Sequence, residues 1–321
     1  MTEILITGCT GFVGSYLTRK LVENGYNVYG LIRHSSKRDL ACLSDVLEKI
    51  HLVKGDLNEY HSICSTLTAT RPQCVLHLGA MTPVRLSFED PFPFISVNFQ
   101  GTVNLVHALL EKSPKARLLH ASTAEVYGWQ EKKPTKETAA LNPASPYAVS
   151  KAAADQYVQM AMKVYDLKAT VLRPINTYGR RGEGGYFVEY VIANMLKGNP
   201  VYVGAPDSVR DYMFVDDHVD AYMKSIESEK AIGQVFNVSP GNPVTNKELT
   251  RLVAKLTGFN KKIVLGSYPP GYPQRPAHLD PDYLALDNAK IARLLGWKAT
   301  VTLEIGPSST TESWRKEQLT T

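Results

Sequence analysis

Disulfide and metal chemistry find little material in this sequence. Four of its 321 residues are cysteine (Cys9, Cys42, Cys64 and Cys74), with no Cys-x-x-Cys pair and no histidine at ligand spacing beside them. That pattern disfavours a disulfide framework or a zinc cluster and suits a reducing compartment. No apolar run approaches the ~20 residues that a membrane-crossing helix needs. The opening residues lack the basic flank and apolar stretch of a secretory signal, so a cytoplasmic location is expected. Charge of one sign is also scarce. The excess of +5 is spread thinly, and its densest run, "RHSSKR" at 33–38, has no aromatic residues interleaved. Nucleic-acid binding is disfavoured on that pattern, whereas an anionic small molecule suits it. Internal repeats and low-complexity segments are absent.

What the chain does have is alternation. "ILITG" (4–8), "YNVYGLIR" (26–33), "IHLVKGDL" (50–57), "CVLHLGA" (74–80), "ARLLHAS" (116–122) and "ATVLRPIN" (169–176) are short apolar runs ending in small or polar residues. Between them lie helical patterns at 14–25, 98–112 and 148–165. Strands alternating with helices predict a parallel sheet covered on both faces. Beyond ~180 glycine and proline punctuate every segment ("RRGEGGYF", "GNPVYVG", "SPGNPVT", "YPPGYPQRP"). The expected division is residues 1–175 as a first domain and 176–321 as mainly a smaller α+β substrate domain, with about 210–240 returning to the first.

Gly8, Gly11 and Gly14 in "GCTGFVG" stand between the first strand and the first helix. Glycine there lets the backbone turn tightly and touch a pyrophosphate whose charge meets the helix N-terminus. A tight helix–strand turn alone would use the same triplet, but its position favours a dinucleotide. The predicted fold is therefore a Rossmann-type doubly wound α/β sheet with a smaller C-terminal domain. Phe12 and Val13 open the helix beside the cofactor, and Leu57, Leu78 and Ala80 follow the third and fourth strands as further candidate contacts. The second strand ends in Arg33-His34-Ser35-Ser36 with no carboxylate before Asp39. A 2′-phosphate wants cations where a 2′-hydroxyl wants an acid, so NADP is expected over NAD, with Arg33 and Ser36 as contacts. Asp56 is a candidate acceptor for the adenine amino group and equally suits a strand-end turn.

"SPYAVSK" sets Tyr147 and Lys151 four apart, on one face of a helix that begins near Pro146. A phenol with pKa near ~10 is a poor base, but a neighbouring ammonium and an oxidised nicotinamide favour its phenolate. Such a group takes a hydroxyl proton as hydride leaves the same carbon. Upstream, "HASTAEVYG" (120–128) ends a strand in Ser122, Thr123, Ala124 and Glu125.

With these motifs together, the chain resembles an extended short-chain dehydrogenase/reductase of the nucleotide-sugar epimerase/dehydratase group. "TGCTGFVG", "GDL", "HLGA", "NFQGTVNLVHA", "STAEVYG", "SPYAVSK", "LRPINTYG", "RDYMFVDD" and the closing "LGW" occur in that family's order over nearly the whole length. The resemblance implies that Thr123, Tyr147 and Lys151 are catalytic, that Ser122 lies near the nicotinamide, and that the substrate is a nucleotide-diphosphate sugar. It further implies contacts from Asn176, Arg210 and Arg275 to the substrate's diphosphate and nucleotide, and pairing into a homodimer through helices 98–112 and 148–165. Val103, Val106, Tyr157 and Met160 would form the paired faces or, equally, internal core. "GLIRHSS" and "PDSVRDYMFVDD" resemble the NADP-using GDP-mannose 4,6-dehydratases.

Members of this family begin alike, with Tyr147 taking the C4 hydroxyl proton. A 4,6-dehydratase then uses a carboxylate to remove the C5 proton, and an acid helps the C6 hydroxyl leave. Glu125 stands at the base position, but Ala124 has no proton to give. A GDP-mannose-like 4,6-dehydratase (a lyase) is the expectation. A 4-epimerase (an isomerase), a 4-keto-sugar reductase, a UDP-sugar decarboxylase and a non-catalytic NADP-binding regulator are the alternatives. Under the epimerase reading Glu125 is structural. No metal is expected.

Overall fold

The computed structural model describes residues 2–33, 40–180, 186–269 and 281–320. The apolar runs become β1 (Glu3–Thr7), β2 (Asn27–Ile32), β3 (His51–Lys54), β4 (Cys74–His77), β5 (Arg117–Ala121) and β6 (Ala169–Pro174). Between them run α1 (Phe12–Glu23), α2 (Tyr60–Thr70), α3 (Val84–Glu89), α4 (Gly101–Lys112) and α5 (Pro146–Val164). Past β6 the chain forms β7 (Asn176–Tyr178), α6 (Phe187–Leu196), β8 (Val201–Val203), β9 (Val209–Arg210), β10 (Tyr212–Phe214) and α7 (Val215–Glu227). It continues through β11 (Gln234–Val238), β12 (Val244–Thr245), α8 (Asn246–Thr257), β13 (Ile263–Leu265), β14 (Tyr283–Leu284), α9 (Ala289–Leu295) and α10 (Ile305–Thr320).

Seven strands form one parallel sheet in the order β11-β6-β5-β4-β1-β2-β3. Because successive side chains alternate between faces, Ile4 and Ile6 of β1 join a core with Leu17 and Leu21 of α1 and Val219 of α7. Leu5 faces the other way, with Ile63 of α2, Leu105 of α4 and Val158 of α5. Both faces are covered, which is why the strands read as continuous apolar runs rather than as polar–apolar alternation. The expectation of a doubly wound parallel sheet is met.

Three local boundaries differ from those expected. The first helix starts at Phe12 and closes at Asn24, with Gly25 at φ +77° in the left-handed conformation that favours glycine. The run 98–112 is α-helical only from Gly101, and the turn before it, Ile95–Gln100, is π-helical. The run 169–176 ends as a sheet strand at Pro174, and Asn176–Tyr178 pairs instead with β10. Proline cannot donate to a ladder, so the chain leaves the sheet there and enters the second cluster of elements. That cluster has its own core, with Tyr178, Val191 and Ile192 packed against Leu249, Val253 and Trp314.

Candidate functional site

The glycine-rich turn is built as its sequence demands. Gly8 has φ +76°, and a Cβ on it would lie 2.8 Å from the Gly79 backbone nitrogen. A Cβ on Gly14 would come within 2.0 Å of the Gly8 carbonyl oxygen. The first turn of α1 has no acidic residue and no side-chain cap. Its leading N–H groups have no intrahelical partner, so the loop fits the pyrophosphate of a dinucleotide.

From this turn a cleft of about 1130 Å³ extends along the carboxyl ends of the strands to the second core. Its wall includes every described residue expected to bind cofactor or substrate or to act in catalysis. Gly8, Gly11, Phe12, Val13, Gly14, Arg33, Asp56, Leu57, Leu78 and Ala80 line one end. Ser122, Thr123, Glu125, Tyr147 and Lys151 lie between that end and Asn176 and Arg210. Ser36 and Arg275 lie outside the described residues.

α5 aims its reactive pair by its cap. Ser145 accepts a hydrogen bond from the Ala148 N–H at 3.1 Å, and Pro146 occupies the first turn, where its missing N–H costs nothing. Tyr147 and Lys151 then share one face. Lys151 is buried, and its ammonium donates to the carbonyl of Ala121 at the end of β5. Burial pulls its pKa down to about 8. Tyr147 is buried as well, which pushes its phenol pKa up. A hydrogen bond with the Thr123 side chain opposes that shift, while the neighbouring charges of Glu125 and Tyr186 add to it. Phe94 holds the ring edge-on at 6.3 Å between centroids.

The strand exit at 120–128 answers to a short helical turn. Thr123 has extended backbone and caps the 3₁₀ turn Ala124–Tyr127, its Oγ1 accepting from the Glu125 N–H at 3.2 Å. Thr123 and Glu125 line the cleft. Ala124, 2% exposed, packs into the sheet core with Val126 and Tyr127. The alanine is therefore a packing residue and adds no group to the cleft wall.

Several of these wall residues also bond within the protein. Ser122 borders the cleft, but its hydroxyl donates to Asp155 at 2.5 Å, inside the protein. Asp56 binds its own turn, its Oδ1 accepting from the Asn58 N–H at 2.9 Å. Arg210 is nearly buried and donates to the Val209 carbonyl at 2.8 Å. The next residue, Asp211, is fixed by Ser239 and by the backbone N–H of Gly241 and Asn242. Asn176 is exposed at the start of β7.

A second set of site residues lies largely in stretches marked in the sequence only as wholes, "NFQGTVNLVHA" and the candidate substrate loop "RRGEGGYF" (180–187), with no role for single residues. Asn98, in the π-helical turn, donates to Met81 O and Ser150 Oγ and accepts from Met81 N at 2.7 Å. This fixes the loop after β4, where Thr82 lies. Across the cleft Tyr186 meets Thr82, the two hydroxyls 3.3 Å apart. The Arg180 guanidinium lies 3.5 Å from the Tyr186 ring centroid and 4.2 Å from that of Phe12. Thr82 and Tyr186 are 104 positions apart, and no periodicity connects them.

A family model described as GDP-mannose 4,6 dehydratase matches residues 5–310. The chain belongs to this family, within the extended short-chain dehydrogenase/reductase group of nucleotide-sugar epimerases and dehydratases. It is 33% identical to the UDP-glucose 4-epimerase of Mycolicibacterium smegmatis, over 98% of each chain. The UDP-glucose 4-epimerase of Thermotoga maritima, solved with UDP-glucose, superposes with a TM-score of 0.88 at 31% identity, over 98% of this chain and 99% of that one. The dTDP-glucose 4,6-dehydratase of Streptomyces venezuelae, solved with NAD, gives 0.85 at 26%, over 98% and 97%.

Proposed function

We propose that the chain is an NADP-dependent 4,6-dehydratase of a nucleotide-diphosphate hexose such as GDP-mannose, a lyase. The observation that carries this reading is Glu125, placed on the cleft wall and close enough to Tyr147 to raise its pKa. When bound, NAD(P)+ accepts a hydride from sugar C4 and later returns it. Thr123 orients the C4 hydroxyl, Tyr147 takes its proton, and the Lys151 charge favours the phenolate. The new C4 ketone acidifies C5–H, and Glu125 removes that proton as the C6 hydroxyl departs. Asn176, Arg210 and Arg275 are assigned to the nucleotide-diphosphate.

A second reading, a 4-epimerase, gains from Ala124, which offers no acid for elimination. The test is to incubate protein and NADP+ separately with GDP-mannose, dTDP-glucose, UDP-glucose and UDP-glucuronate and to read product masses. Loss of one water from one substrate is expected, and Glu125→Gln is expected to slow that loss at least ~10-fold. An isomer of unchanged mass would make the protein an epimerase, loss of carbon dioxide a decarboxylase, and net cofactor consumption a reductase. Tight NADP binding without turnover would mark a regulator.

Arg33, exposed at the cleft edge, carries the NADP assignment. A charge-assisted hydrogen bond contributes ~1.5–3 kcal/mol, so NADP+ is expected to bind roughly 10–100-fold more tightly than NAD+ in a fluorescence titration. Equal affinities would reassign the cofactor to NAD.

A homodimer through helices 98–112 and 148–165 belongs to the same proposal. Val106 is fully buried in the chain's own core. Tyr157 also packs internally, its hydroxyl 2.6 Å from His107 Nε2. Val149 and Val164 of α5 are exposed, Val164 at 63%, as are Leu86 and Phe88 of α3 and, nearby, Phe92 and Ile95. Exposed apolar side chains on these helices suit an interaction surface. No helix among the described residues is long and apolar enough to cross a membrane.

A further inference from the structure

Elimination of a hydroxyl needs a proton for the leaving oxygen, and position 124 cannot supply one. Its methyl group is buried in the sheet core, away from the cleft. Thr123 is committed to the C4 hydroxyl and Glu125 to the C5 proton. Tyr186 is a cleft-lining phenol that bonds the loop after β4. Its hydroxyl reaches across to the Thr82 hydroxyl at 3.3 Å, on the wall that also holds Tyr147. Met81, next to Thr82, is held by Asn98, which also bonds Ser150 on α5 three residues from Tyr147, so the Thr82–Tyr186 contact sits beside the reacting end of the cleft. The guanidinium of Arg180 lies 3.5 Å from the Tyr186 ring centroid and is held from its other side by Phe12. A cation over that ring stabilises negative charge on the phenol oxygen.

We infer that Tyr186 is the general acid of the dehydration, protonating the C6 oxygen as it leaves. The inference rests on the dehydratase reading above. In the step itself the C5–H bond breaks and its proton goes to Glu125. The bonding pair forms the C5=C6 double bond, and the C6–O bond breaks. The oxygen takes the Tyr186 phenolic proton and departs as water. The Tyr186 phenolate, facing Arg180, regains a proton from solvent through the Thr82 hydroxyl. C6 then receives the hydride that C4 gave and Glu125 returns its proton to C5, so the net loss is one water with no other redox change. The proposal thereby moves the acid from position 124 to Tyr186, 62 positions downstream and on the facing wall.

The test is Tyr186→Phe, with C4 oxidation and water loss measured separately on the substrate that wild type dehydrates. C4 oxidation is followed by the transient reduced-cofactor absorbance, and the 4-keto hexose is trapped by borodeuteride. The expected result is C4 oxidation within about twofold of wild type and water loss about 10–100-fold slower, with the 6-hydroxy 4-keto sugar accumulating. The oxidation step serves as the internal control for folding and cofactor binding. Water loss at the wild-type rate would overturn the role of Tyr186 and leave the dehydratase reading standing. Loss of C4 oxidation together with water loss would also overturn it, because the residue would then serve an earlier step. A wild-type protein that yields only an epimer overturns both readings, a result distinct from the other two.

Discussion

Replacing Tyr147 by phenylalanine is expected to lower kcat by about 10²–10⁴-fold, the range of a positioned general base, with little change in stability. Phenylalanine keeps the ring and its edge contact with Phe94, and loses the phenol and its hydrogen bond to Thr123. The check is a steady-state assay on the identified substrate beside a thermal melt. A variant within tenfold of wild type would remove Tyr147 from the chemistry. A pH dependence accompanies this. Burial raises the Tyr147 pKa, so in the ligand-free cleft the group is a neutral phenol at neutral pH. It becomes a base when positive charge is set beside it. Lys151, brought down to about 8 by burial, supplies such charge only while protonated. Activity that depends on this ammonium is therefore present below pH about 8 and lost above it, and kcat/KM should fall on that side.

The other large effect lies behind the cleft. Asp155 and Arg173 are both fully enclosed, with side chains 0% and 3% exposed. They meet through two bonds of 2.8 Å, Nε to Oδ2 and Nη2 to Oδ1. The carboxylate also accepts from Ser122 and Gln159, and Arg173 donates to the Tyr127 hydroxyl at 2.8 Å. Deleting one member leaves the other charge buried without its partner, which costs ~3–5 kcal/mol in such pairs. Asp155→Ala is expected to lose that much in a denaturant titration. The double variant Asp155→Leu/Arg173→Met should lose less than Asp155→Ala, because neither charge is stranded. A single variant as stable as wild type would show that the pair is not enclosed. Because Ser122 precedes Thr123, the single variant should also loosen the strand exit and raise KM.

How far the site was legible follows from how local its determinants are. The glycine turn and the Tyr147/Lys151 pair are set by residues within a few positions of themselves, namely the crowding of Gly14 on Gly8 and the Ser145–Pro146 helix start. Both could be read from spacing alone. The direction of Ala124 could not. A strand continued past Ala121 would alternate faces, but the 3₁₀ turn capped by Thr123 sets a different sequence of directions, and the core behind decides which side is buried. The direction of the Ser122 hydroxyl was not legible for a similar reason. Its hydroxyl is turned by Asp155, 33 residues away. Tyr186, Thr82 and Arg180 converge only because two separate cores bring their loops to one cleft. In the fold, the alternation of strands and helices was clear. The break at Pro174 and the π-helical turn at 95–100 depend on partners distant in sequence, Val238 for the first and Met81 and Ser150 for the second.

The edge strand β11 has a consequence for the chain as a whole. It reaches the sheet from residues 234–238, after the chain has built α6, β8, β9 and β10 elsewhere. Asn237 within it accepts from Tyr127 and donates to the carbonyls of Thr135 and Asp287, tying together three distant parts of the sequence. A gene shortened after the first six strands would therefore encode a sheet with β6 as a raw edge and the Tyr127 hydroxyl deprived of its acceptor. Neither half can be lifted out and grafted onto another scaffold as a finished unit. The chain evolves, and has to be engineered, as one piece.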